Sequence, residues 1–69
     1  MNEVLAGIDI GGTRCALVIG QLQGDSVKIL DKRRFATPST ADETLQYFSE
    51  ALDDLLAIHH VKIKTIGIS

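Results

Sequence analysis

The chain has 69 residues, with 7 Lys+Arg against 9 Asp+Glu, a formal net charge of −2, one cysteine and no tryptophan. Hydrophobic residues at 45% and charged residues at 23% describe an ordinary globular chain and argue against disorder. The acidic balance argues against nucleic acid as a main partner, a lone cysteine excludes an internal disulfide, and no Cys/His spacing suits structural zinc.

Met1-Asn2-Glu3 opens acidic and no long apolar core follows, so a signal peptide of the usual form is not expected. Charges or glycines interrupt every apolar run short of a membrane span, and a reduced, cytoplasmic setting is the expectation. Val4 to Ile10 is apolar at both parities until Asp9, the pattern of a strand inside a covered sheet. Gly11-Gly12 follows, and then the β-rich run Thr13 to Ile19. Two such runs joined by Gly-Gly predict a tight hairpin with a primed turn, which requires positive φ.

Gln21 to Ser26 is expected to be the next turn, and Val27 to Ala36 a third strand. Lys32, Arg33 and Arg34 mark that strand as a charged, solvated sheet edge, which Thr37-Pro38 ends. Thr40 with Glu43 three residues on predicts a capping box, and Asp42 and Glu43 suit the positive end of a helix. Leu45, Phe48, Leu52, Leu55 and Leu56 form a helical stripe for core packing. His59 and His60 suit the helix C-terminus better than a metal, since neighbouring positions diverge and no further ligand joins them. Cys15 is expected to act as a small apolar residue. Val61 to Lys64 lead into a fourth strand, Ile66 to Ser69.

The order β-β-β-α-β, with a right-handed crossover and the most charged strand at the edge, predicts a mixed α/β sheet ordered 3-2-1-4 with the helix on one face. The other face of strands one and two is apolar with nothing here to cover it. About 60 residues bury only about 60% of their unfolded surface. The chain is therefore expected to self-associate or to be an incomplete part of a larger domain.

The chemical content lies in Asp9-Ile10-Gly11-Gly12-Thr13-Arg14. Asp9 is a carboxylate at the end of an apolar strand, and a buried charge needs a partner. Gly11 and Gly12 let backbone N–H groups approach a bulky anion, while Thr13 adds a hydroxyl and Arg14 a planar cation. Such a cradle could hold phosphates, with Asp9 beside a hydrated magnesium ion. The spacing is neither a Walker loop nor a dinucleotide fingerprint. A plainer reading, in which Gly-Gly only makes the bend and Asp9 caps it, fits the spacing as well.

Gly7-Ile8-Asp9-Ile10-Gly11-Gly12-Thr13-Arg14 resembles the first phosphate motif of the ROK (repressor, open reading frame, kinase) sugar kinases, members of the actin-like ATPase (ribonuclease-H-like) superfamily. The three-strand meander, Thr37-Pro38 before a helix and Ile66-Gly67-Ile68 agree, so the likeness covers essentially the whole chain. Position 14 is often lysine in that family, and Arg14 keeps the charge with a different donor geometry.

The resemblance implies that Asp9 orients a metal-bound water near the transferring phosphate. It implies that Gly11, Gly12 and Thr13 face the phosphates of ATP, with Arg14 close by and Mg²⁺ as the metal. It also implies a hexose or N-acyl hexosamine as acceptor. The sugar-binding segment, catalytic aspartate, adenosine motif and zinc motif are expected beyond Ser69, so the 69 residues alone are expected to be inactive. A sugar-responsive repressor of the same family would carry a DNA-binding module ahead of the motif, for which the residues before Asp9 leave no room. A non-catalytic interaction module is the remaining alternative.

Overall fold

The computed structural model describes residues 3–68. Its elements are β1 (Glu3–Ile10), β2 (Arg14–Gln23), β3 (Ser26–Ala36), α1 (Ala41–His59) and β4 (Lys62–Ile68). They form a mixed α/β fold, one four-stranded sheet in the order β3-β2-β1-β4 with a single helix. β1 and β2 are antiparallel, as are β2 and β3, while β4 returns over the helix to run parallel to β1. The charged β3 lies at an edge, where an unpaired ladder faces water. Among the described residues no helix is long and apolar enough to cross a membrane. Ser69, expected to end β4, lies outside the described residues.

Strand alternation sorts the sheet into two faces. Val4 and Ala6 of β1 and Cys15, Leu17 and Ile19 of β2 are buried beneath Phe48 and Leu55 of α1. Phe35 anchors the helix to β3, stacking on Tyr47 at 5.4 Å and meeting Phe48 edge-on at 4.9 Å between ring centroids. The opposite face is open. Asp9, expected at the end of a buried strand, is exposed there, so its charge carries no burial cost that demands a partner.

Both ends of α1 are closed by local chemistry. Thr40 Oγ1 accepts the Glu43 N–H at 3.1 Å, one half of the expected capping box. The Glu43 carboxylate accepts from the Thr40 hydroxyl at 3.0 Å and the Ser39 hydroxyl at 3.2 Å rather than from the Thr40 backbone N–H. At the other end His60 takes a left-handed conformation, φ 54° and ψ 47°. The His60 N–H reaches the Ala57 carbonyl and the Val61 N–H the Leu56 carbonyl, a Schellman closure. Of the expected helical stripe, Phe48 and Leu55 are buried and Leu52 and Leu56 pack against the core; only Leu45 departs, being 65% exposed with Thr44 buried in its stead. Thr44 tolerates burial because its hydroxyl donates to the Thr40 carbonyl at 2.9 Å.

β1 and β2 form the hairpin expected across Gly11-Gly12, but its turn is of another kind. Gly11 and Gly12 do not take positive φ, so their turn is not of the primed type. The two-residue turn with a positive φ is Gly24-Asp25, inside the segment expected to be a longer turn. Gln23 pairs directly with Ser26, and Gly24 has φ 64°. Glycine suits a positive φ at the first central position of a two-residue hairpin. β2 therefore runs four residues past Ile19. A bulge in β3 between the Ile19–Asp31 and Gly20–Ile29 pairs lets Leu30 pack against the core and Asp31 face the helix.

Candidate functional site

The segment that carries the chemistry is the bend between β1 and β2. Its first glycine is there for the fold. The Gly11 N–H donates to the Arg14 carbonyl at 3.0 Å, and a Cβ on Gly11 would stand 2.8 Å from that same oxygen. A side chain would push apart the contact that closes the turn. Gly12 differs: a Cβ there meets nothing within 4 Å, and its φ is not one that excludes other residues. The fold supplies no steric reason for glycine at position 12. Among the described residues the N–H groups of Gly12 and Thr13 donate to no partner.

The turn is held by a residue the motif does not include. Thr37, immediately after β3, donates its hydroxyl to the Gly11 carbonyl at 2.8 Å and its N–H to the Thr13 carbonyl at 3.1 Å. With that hydroxyl proton committed, the 3.3 Å contact between Cys15 Sγ and Thr37 Oγ1 has the thiol as donor. Cys15 is 1% exposed, so it serves as small apolar packing and as a weak brace for Thr37. Strand periodicity gives no sign of this strap. The register does, because Arg14 pairs with Ala36 and the next residues outward are Thr13 and Thr37.

Asp9 and Arg14 lie on the open face beside the turn and, with Gly7, Ala16, Val18, Lys32 and Arg34, line a concavity of about 460 Å³. Among the described residues neither Asp9 nor Arg14 forms an ion pair. The structure thus brings Asp9, Gly11, Gly12, Thr13 and Arg14 to one end of the sheet, with two free amides, a carboxylate and a guanidinium. A hydrated Mg²⁺ ion needs only one or two carboxylates plus phosphate oxygens, so the single acid Asp9 fits that role. Among the described residues no group of three or more His, Cys, Asp or Glu could form a denser metal site.

The basic run and the histidines resolve differently from expectation. Arg33 turns to the helix side and pairs with Asp54 at 3.0 Å, so it is not a free edge cation. His59 Nε2 donates to Asp31 Oδ2 at 2.8 Å across the bulge, tying the end of α1 to β3 rather than serving the helix terminus alone. That hydrogen bond, and then the Lys32 N–H donated to Asp31 at 2.8 Å, hold the Asp31 carboxyl below its ordinary pKa.

No family model matches the chain, nor does any curated protein sequence.

Proposed function

We propose that this chain is the phosphate-binding segment of an ATP-dependent sugar kinase built on an actin-like ATPase domain, acting on a hexose or N-acyl hexosamine in the cytoplasm. The observation that carries the reading is the contrast between the two glycines. Gly11 is explained by packing, whereas a Cβ on Gly12 would enter open space, and the Gly12 and Thr13 amides have no partner among the described residues. A bare backbone with free N–H groups is what close approach to an oligophosphate needs. The β-β-β-α-β frame in the order 3-2-1-4 supports the same reading, as does the D-I-G-G-T likeness.

In this reading Gly12 and Thr13 donate backbone hydrogen bonds to phosphate oxygens, and Arg14 offsets their charge. Asp9 would hold the water shell of Mg²⁺, which when bound neutralises charge on the phosphates of ATP. Thr37 keeps the turn in one conformation, so little ordering is needed when the ligand arrives. The general base for the sugar hydroxyl would come from residues other than these, and the apolar end of the open sheet face, where Val27 and Ile29 are exposed, favours a homo-oligomer or a covering segment.

The test is Asp9→Ala in the whole polypeptide that carries this segment, with sugar-dependent ADP release followed across glucose and other hexoses. Loss of turnover at retained fold is the expected result. Undiminished turnover with the best sugar contradicts the role given to Asp9.

A further inference from the structure

We propose that Lys32 and Arg34 join Arg14 in a three-cation site that holds the linear oligophosphate of the ligand, which deepens the preceding proposal and rests on it for the role of the turn. The register builds this site. Ala16 of β2 pairs with Asp9 on one side and with Arg34 on the other, and Val18 pairs with Gly7 and with Lys32. Arg14, opposite Ala36, is diagonal to Arg34 across the β2–β3 ladder. Gly7, Ala16 and Val18 line the concavity between the charged residues Asp9, Arg14, Lys32 and Arg34.

Three further observations favour an anion. First, Arg14, Lys32 and Arg34 form no ion pair among the described residues, although the chain as a whole is acidic. Asp9 stands two strand spacings, about 10 Å of backbone, from Arg34, and no ion pair joins them among the described residues. Second, the adjoining strand residue Arg33 is paired with Asp54, so alternation places one cation of the run against the helix and two around the concavity. Third, Arg14 and Arg34 also line a second hollow that includes Thr13, so the cationic surface is continuous with the glycine turn. A chain of phosphates entering at Gly12 and Thr13 would pass Arg14 and Arg34 toward Lys32, with Asp9 on the opposite wall to take a phosphate-bound cation.

The experiment titrates the chain with tripolyphosphate and with MgATP, using the wild type, the double variant Lys32→Gln/Arg34→Gln, Arg33→Gln and Gly12→Val. Denaturation midpoints are measured in parallel to keep only folded variants. The expected result is that Lys32→Gln/Arg34→Gln weakens both ligands by about tenfold or more and makes the salt dependence shallower. Arg33→Gln, on the helix side of the same strand, leaves affinity unchanged. Equal binding by wild type and the double variant overturns the three-cation site while leaving the glycine turn as the phosphate contact. Weakening by the double variant with no effect of Gly12→Val upholds the cation site and overturns the reading of the turn. Equal weakening by Arg33→Gln reduces the effect to net charge and overturns the site. Binding of neither ligand to the wild type overturns both.

Discussion

The Thr37 hydroxyl donates to the Gly11 carbonyl at 2.8 Å, joining residues 26 apart in sequence. This bond and the Thr37 N–H to Thr13 carbonyl bond fasten the end of β3 to both sides of the glycine bend. The sheet therefore delivers the bend as a braced unit, with Cys15 packed behind it.

Replacing Thr37 with Val removes the hydroxyl at near-constant volume and leaves the Gly11 carbonyl without that donor. The expected loss is about 1 kcal/mol of unfolding free energy, read from urea denaturation. Thr37→Ser should recover most of it. Because the strap also orders the turn for the ligand, Thr37→Val should lower MgATP affinity, measured by titration, beyond what Thr37→Ser does.

Asp31 gives the fold a specific acid sensitivity. Its carboxyl is held below the ordinary value of 3.8, first by the hydrogen bond from His59. A depressed native pKa means the contribution is complete above the unfolded value and is lost as pH falls through the native one. Thermal midpoints measured from neutral pH downward should drop in the range below 3.8. Asp31→Asn should be less stable at neutral pH and show a shallower fall in that range. An unchanged acid slope contradicts the assignment.

His60 occupies a left-handed position that glycine fills without strain. His60→Gly is expected to raise stability by about 1 kcal/mol, measured as a higher denaturation midpoint. Leu17 is fully buried under α1, and Leu17→Ala should cost about 2–5 kcal/mol, enough to unfold much of a small chain.

Much of this architecture is legible from residue pattern. Charge at Lys32 to Arg34 places β3 at the edge, and Thr40 with Glu43 marks the helix start because capping is chemistry local to four residues. What pattern does not carry is phase, turn geometry and non-local contact. Leu45 belongs to the same periodic stripe as Phe48, yet the line of closest approach runs through Thr44, whose hydroxyl is satisfied by its own helix. A Gly-Gly pair signals a bend without specifying φ, so positive φ is found at Gly24 rather than at Gly11 or Gly12. Asp9 looks buried by its apolar neighbours, but burial depends on whether a second layer covers the sheet. The Leu30 bulge, the His59–Asp31 bond and the Thr37 strap are consequences of register, which no local window contains.

The same contrast between neighbouring glycines gives the most direct test. Gly11→Ala is expected to destabilise the fold by about 1–3 kcal/mol, since its methyl would crowd the Arg14 carbonyl. Gly12→Val should leave the denaturation midpoint nearly unchanged, because its side chain enters open space. The decisive measurement is MgATP affinity for Gly12→Val beside wild type at matched stability, followed through the amide resonances of Gly12 and Thr13. Binding by the wild type that Gly12→Val abolishes is what a phosphate cradle requires; equal affinity in both chains, or no binding by the wild type, contradicts it.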